Sequence, residues 1–106
     1  MKIKRKHLKE LVGSLQGEEY GCSLSTGKNY LVRTVTMFYV GRLKAISNSD
    51  IVLDQASWVA DTGRFGEALS TGSLNEVEPF VDDVIINRAC LVDCTVWRHE
   101  LPREAK

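Results

Sequence analysis

A long run of β-forming residues near the middle of the chain constrains the fold more than any other feature. Residues 30–46 are dominated by β-branched and aromatic side chains, which are typical of strands. Gly41 lies inside this run, and a glycine within a strand usually marks a bulge or a sharp bend. The run therefore predicts one long bent strand, or two strands, with a bend at Gly41.

A polar turn and a further strand follow directly. Residues 47–50 read Ser-Asn-Ser-Asp, a composition typical of turns, and residues 51–60 return to apolar strand formers. The pattern predicts a hairpin with a four-residue turn.

A second block of strands is predicted over residues 81–98. Polar residues 87–89 interrupt the extended pattern, which indicates two short strands joined by a turn, and Pro102 ends the sheet because it cannot donate a hydrogen bond to it. The even-numbered positions are the predicted core face: Ile86, Arg88, Cys90, Val92, Cys94 and Val96.

The rest of the chain completes one domain, 1–106. Residues 4–16 predict an N-terminal amphipathic helix, residues 17–29 a connector, and residues 61–80 a long loop with at best one helical turn around 65–69. The helix would have to dock the apolar stripe on one of its sides, formed by Leu8, Leu11, Val12 and Leu15.

Successive strands without intervening helices exclude a parallel sheet of alternating strands and helices. The sequence therefore predicts a mainly β fold with an N-terminal helix, built as a small, strongly bent, five-stranded antiparallel barrel.

The charges are unevenly distributed. The 106 residues carry 14 Lys+Arg and 14 Asp+Glu, yet residues 1–44 hold nine basic and three acidic side chains, whereas residues 45–106 hold five and eleven. The two parts therefore differ in net charge, at +6 and −6. The cations near the start could bind phosphate backbones or form a solvated helix face; they are Lys2, Lys4, Arg5, Lys6 and Lys9.

Motif analysis favours a cytoplasmic protein that is not an enzyme. No apolar run has membrane-spanning length, and the odd count of three cysteines indicates reduced thiols, with Cys90 and Cys94 as small core residues. Trp58 and Trp97 are predicted in the core or at an interface. No metal-ligand spacing, cofactor motif or catalytic motif occurs, so no metal, cofactor or catalytic residue is expected.

Two blocks of the chain resemble the Sm-like (LSm) family over roughly residues 4–97. Residues 41–46, the turn and residues 50–53 match the family's glycine-x-leucine, turn and apolar strand, and residues 84–92 match its late pair of apolar strands around an arginine. The resemblance is to a divergent bacterial or phage-encoded member. It implies a homo-oligomeric ring of five to seven copies, formed by pairing an edge near 84–86 with an edge near 91–97 of the next copy.

The family's nucleic-acid site is only partly matched. The turn carries Ser47, Ser49 and Asp50 where the family places an acid, a stacking side chain and an asparagine, and Ala89 or Arg88, depending on register, replaces the glycine after the family's arginine. The resemblance and the charges give the candidate nucleic-acid-binding residues Asn48, Asp50, Asn87, Arg88, Lys4, Arg5 and Lys6.

Two functions are expected from these observations. The first is a ring that binds single-stranded RNA or another nucleic acid. The alternative is a structural or scaffolding ring of a phage or mobile element, which binds a protein partner through residues 61–79. The acidic residues 45–93 favour the alternative, and the basic start of the chain favours the first.

Overall fold

The computed structural model describes residues 23–106, and the predicted helix at 4–16 lies outside them. The described chain contains six strands, one α-helix and one short 3₁₀ turn. In chain order they are β1 (Asn29–Thr34), β2 (Phe38–Ile46), β3 (Asp50–Asp61), α1 (Phe65–Thr71), β4 (Glu76–Pro79), β5 (Val84–Asn87), the 3₁₀ turn Arg88–Cys90 and β6 (Leu91–Val96).

All six strands belong to one antiparallel sheet with β3 at its centre. The strand order is β4-β3-β2-β1-β6, and β5 also pairs with β3. One side of β3 pairs with β2 over most of its length, while the other side pairs first with β5 and then with β4. Strand β3 therefore divides its second side between two short strands.

The bend in the central hairpin has a visible steric cause. The β2–β3 register shifts between Val40 and Arg42, on either side of Gly41. A Cβ atom at Gly41 would lie 2.8 Å from the Cβ atom of Ala56, so only glycine allows the two strands to approach this closely. Gln55, next to Ala56, has a positive φ of 50°. The predicted bulge at Gly41 is confirmed.

The sheet is buried on both faces by two separate hydrophobic clusters. Because successive side chains of a strand point to opposite faces, β1 contributes Tyr30 and Val32 to one cluster and Leu31 to the other. The first cluster is completed by Leu43, Ile51, Leu53, Ala56 and Ile86. The second is completed by Val40, Val59, Ala68, Leu74, Val77 and Trp97.

The predicted five-stranded barrel is wrong, because the sheet has six strands and does not close. The strands at the two ends of the order, β4 and β6, do not pair with each other. Instead, the chain after β6 crosses to β4, where Lys106 and Val77 exchange two backbone hydrogen bonds of 2.9 and 3.1 Å. The α-helix of residues 23–106 lies mid-chain, within the segment predicted as a loop, and β4 also falls in that segment.

The core face predicted for the second β block is correct for Ile86 and Cys94 and wrong for Cys90, Val92 and Val96, which are exposed. Cys94 and Val96 pair with Val32 and Tyr30 of the first cluster, but β6 ends the strand order and leaves Val96 41% exposed. The β1–β6 register shifts between Arg33 and Thr34, which leaves Val92 without a partner residue on β1.

Within residues 23–106, no helix is both long enough and apolar enough to cross a membrane.

Candidate functional site

Two turns predicted to carry functional residues lie side by side. The turn between β2 and β3 contains Asn48, and β5 ends at Asn87 opposite Asp50 in the strand register. The Arg88 backbone N–H donates to the Ser49 carbonyl oxygen at 2.9 Å, and its guanidinium Nη1 donates to the Ser47 carbonyl oxygen at 2.6 Å. The structure therefore brings Asn48, Asp50, Asn87 and Arg88 together.

Side chains within these turns stabilise the turns themselves. Ser47 Oγ accepts hydrogen bonds from the backbone N–H groups of Ser49 and Asp50, at 3.3 and 3.2 Å. Asn87 Oδ1 accepts from the Ala89 N–H at 2.8 Å and so caps the 3₁₀ turn. The cluster is an exposed hydrogen-bonding surface, and neither turn carries an aromatic side chain on which a base could stack.

The three basic candidates Lys4, Arg5 and Lys6 lie outside the described residues. The described part, by contrast, is slightly acidic: residues 23–106 contain nine Lys or Arg and eleven Asp or Glu, a net charge of −2. Three ion pairs join described residues: Arg33 with Asp93, Arg42 with Asp54 at 2.6 Å, and Lys44 with Asp83 at 2.7 Å.

The ion pair between Arg42 and Asp54 changes the pKa of the Asp54 carboxyl group. The hydrogen bonds from the guanidinium of Arg42 hold the pKa of Asp54 below its usual value. The partner carboxylates, in turn, raise the pKa of Arg33, Arg42 and Lys44. These pairs neutralise charges that a polyanion would otherwise contact.

Two strand edges in the sheet have no pairing partner among residues 23–106. Strand β5 pairs only with β3, and β6 pairs only with β1. Both carry exposed apolar side chains: Ile85 of β5 is 69% exposed, and Val92 of β6 is 53% exposed. The sequence predicted edges at both places, and the structure confirms that they are edges.

An apolar groove lies on the outer face of β2, β3 and β4. It has a volume of about 390 Å³ and is lined by Met37, Tyr39, Trp58, Glu78, Pro79 and Phe80. Trp58 is 38% exposed here, and the rings of Tyr39 and Phe80 stack with their centroids 6.1 Å apart.

Sequence reasoning placed Trp58 in the core or at an interface and missed the groove. One signal could have found it. Because the hairpin pairs Ile46 with Ile51, counting seven residues away from the turn on each strand pairs Tyr39 with Trp58, as observed.

The other groups of interest in residues 23–106 are candidate metal ligands and the two cysteine thiols. Residues 23–106 contain no group of three or more His, Cys, Asp or Glu side chains that could hold a metal ion. Cys90 and Cys94 are free thiols, and burial raises the pKa of Cys94.

Comparison of the chain with protein-family models, with curated proteins and with solved structures gave no match, so nothing in these comparisons identifies it as an Sm-like protein.

Proposed function

We propose that this protein is a non-enzymatic structural protein that assembles with copies of itself through its open strand edges. In this assembly β5 of one copy lies antiparallel beside β6 of the next and continues its sheet. The observation that carries the proposal is the pair of uncovered apolar edges, at Ile85 and Val92, in a molecule that covers its β4 edge with its own C-terminal residues.

The physical reason is the cost of unpaired edges. An open strand presents a row of unpaired backbone groups, and soluble proteins usually block it with lysine, proline or a covering segment. Neither β5 nor β6 contains a lysine or a proline. Pairing of the two edges would satisfy these backbone groups and remove exposed apolar side chains from water in the same step.

The two edges differ, so their contact is head to tail rather than symmetric. Such a contact leaves a free β5 at one end of the assembly and a free β6 at the other, and repeated addition gives a ring if the rotation between copies closes. The ring of five to seven copies is the form that the Sm-like resemblance implies.

Three single substitutions test the assembly. Ile85→Lys places a charge on β5, and Val92→Lys places one on β6. Val81→Lys is the matched control, because Val81 is 98% exposed and lies in the loop between β4 and β5, away from both edges. In sedimentation velocity at micromolar concentration, the wild type and Val81→Lys should form a multiple of the 11.9 kDa chain, and the two edge variants should not.

A mixture of the two edge variants separates head-to-tail pairing from other contacts. Ile85→Lys retains an intact β6 edge and Val92→Lys retains an intact β5 edge, so together they should form a dimer and stop there. If Ile85→Lys forms dimers by itself and recruits no Val92→Lys chain in the mixture, the contact is a symmetric β6–β6 pairing. A wild type that sediments as a lone 11.9 kDa species overturns the proposal.

A second candidate function is binding of single-stranded nucleic acid at the paired turns. It is favoured by the convergence of Asn48, Asp50, Asn87 and Arg88 at one place, next to the end of β5. A ring would repeat this surface once per copy. The acidic balance of residues 23–106 and the lack of an aromatic side chain in the turns weaken this candidate relative to assembly.

Anisotropy titrations with oligo-U and oligo-A at two salt concentrations test the second candidate. Base-dependent binding that Asn48→Ala weakens supports a site at the turns. Binding that is independent of the base and is lost only in a Lys4→Ala, Arg5→Ala, Lys6→Ala variant is attraction to the basic start of the chain alone.

Binding of a protein partner through residues 61–79 stays a prediction; Phe65 and Leu69 are exposed there.

A further inference from the structure

The groove on the outer face of the sheet is built by side chains from three neighbouring strands. Tyr39 pairs with Trp58, and Trp58 pairs with Glu78, so the three side chains form a row on one face of β2, β3 and β4. Phe80 stacks on Tyr39 and closes one side of the groove. The groove thus combines a broad aromatic surface with one acidic side chain.

Acidic side chains continue along the margin of this groove. In β4, Glu76 and Glu78 are exposed on either side of the buried Val77, so both carboxylates point to the face that carries Trp58. Asp82 follows in the next loop, where the neighbouring Asp83 is already paired with Lys44. The surface would therefore suit an occupant that offers apolar side chains to the aromatic rings and positive charges to the margin.

The first 22 residues of this chain have both properties. They contain five Lys or Arg and three Glu, a net charge of +2, whereas residues 23–106 have a net charge of −2. The sequence predicts an amphipathic helix at 4–16, in which Lys4 lies in line with the apolar stripe, four residues before Leu8, and Arg5 and Lys9 lie at one margin of it.

The attachment point of this segment is close enough to the groove. The Gly27 N–H donates to the Leu43 carbonyl oxygen at 2.7 Å, which fixes the start of the described chain beside β2. Leu43 and Tyr39 are four residues apart on that strand, or about 13 Å. The nine residues from Leu24 back to Leu15 can span up to about 30 Å, so the link is long enough.

We infer that residues 4–16 dock in this groove, with the stripe of Leu8, Leu11, Val12 and Leu15 against Trp58, Tyr39 and Phe80. Lys4 and Arg5, at the start and margin of the stripe, then lie at the edge of the contact, where they can pair with Glu76 and Glu78. This contact is independent of the proposed assembly, because it uses the outer face of β2, β3 and β4 and leaves the edges of β5 and β6 open.

The two tryptophans of the full-length chain supply a reporter and an internal control. In a ¹⁵N-labelled protein each indole N–H gives its own NMR resonance. Trp58 lies in the groove, whereas Trp97 is buried in the second cluster, and its Nε1 donates to the Glu100 carbonyl oxygen at 3.2 Å. Leu11→Asp disrupts the apolar stripe. Ser14→Asp adds the same charge outside the apolar stripe and is the matched control.

In Leu11→Asp we expect the Trp58 resonance to shift and to become more accessible to a soluble paramagnetic agent, while the Trp97 resonance stays in place. Ser14→Asp should leave both unchanged. A Trp58 resonance that is unaffected by Leu11→Asp overturns the inference. A resonance that responds instead to protein concentration also overturns it and assigns the groove to a second copy.

If Leu11→Asp shifts both resonances, the milder Leu11→Ala decides. A shift of the Trp58 resonance alone then supports docking, and no shift overturns it.

Discussion

The edge of β4 differs from the edges of β5 and β6 in whether another part of the described chain covers it. On β4, the backbone of Val77 exchanges two hydrogen bonds with Lys106, so the chain covers this edge itself. On β5 and β6, no residue of the described range 23–106 pairs with the outer sides, and Ile85 and Val92 are exposed there. A chain that covers one edge and leaves two others apolar and open is suited to add copies of itself at the open edges.

The covering segment is anchored by four contacts as it crosses from β6 to β4. It starts at Trp97, which is 3% exposed in the second cluster, and Leu101 packs against the same cluster. Further along, Ser57 Oγ donates to the Pro102 carbonyl oxygen at 3.5 Å, and Arg103 donates to Gln55 at 3.3 Å. The buried anchors hold the segment and the final backbone pair covers the edge, so the two can be tested separately.

Loss of the Trp97 anchor should have the largest effect on the covered edge. Trp97→Ala removes a buried indole and should lower the free energy of unfolding by about 3–5 kcal/mol, because it leaves a cavity in the second cluster. Denaturant unfolding monitored by circular dichroism measures this change. Trp97→Phe keeps most of the apolar contact and should cost clearly less. A cost for Trp97→Ala below that for Trp97→Phe would contradict the anchoring role.

The bend at Gly41 is where the covered and open parts of the sheet separate, because β3 changes partners from β5 to β4 opposite it. Gly41→Ala would place a Cβ atom 2.8 Å from the Cβ atom of Ala56. Overpacking of this kind should lower the free energy of unfolding by about 1–3 kcal/mol. Thermal and denaturant unfolding measure it.

Gly66→Ala in α1 is the matched control for this prediction. A Cβ atom there meets nothing within 4 Å, and alanine is the better helix former, so the variant should be neutral or more stable than the wild type. Equal destabilisation by both substitutions would show that the close approach at Gly41 is not the cause.

The sequence predicted the open edges better than the covered one, for a physical reason. The strands around Gly41 and the turn at 87–89 follow from local chemistry: β-branched residues, a bulge glycine and turn formers. Strand β4 buries one residue, Val77, and α1 buries one, Ala68, so neither has an apolar period that a sequence reading could detect. The register shift at Arg33 and Thr34 depends on the partner strand, so the exposure of Val92 in β6 could not be predicted from alternation alone.

Dependence on distant parts of the chain also explains why the barrel prediction was wrong and why the groove was missed. Closure depends on whether β4 and β6 meet, and the sequence of neither strand records that the C-terminal residues lie against β4 instead. The sequence did better for the turns, because four of the candidate residues converge in the structure: Asn48, Asp50, Asn87 and Arg88. They converge because both turns flank the same β3–β5 pairing.

Deletion of residues 104–106 should convert the covered edge into a third open edge. Two backbone hydrogen bonds near the surface are lost, which should lower the free energy of unfolding by about 1 kcal/mol. The larger consequence is for assembly: mass photometry should show a broad range of sizes in place of one, because β4 now competes for the same partners. Lys106→Ala retains the backbone pair and should assemble like the wild type. A single unchanged mass for the deletion would contradict the covering role.

Loss of the ion pair between Arg42 and Asp54 should have the smallest effect on the free energy of unfolding. The pH dependence of this effect distinguishes the ion pair from other contributions of Asp54. Asp54 is adjacent in β3 to Gln55, the residue that Arg103 of the covering segment contacts. Because the pKa of Asp54 is lower in the folded chain than in the unfolded chain, its contribution to stability is fully present above the unfolded value of about 4. The contribution is lost as the pH falls through the lower folded value. The difference in unfolding free energy between wild type and Asp54→Asn should therefore be small and constant from pH 8 to about 5 and shrink below about 4, as measured by urea unfolding at each pH. A difference that grows on acidification would mean that Asp54 acts through something other than its pairing with Arg42.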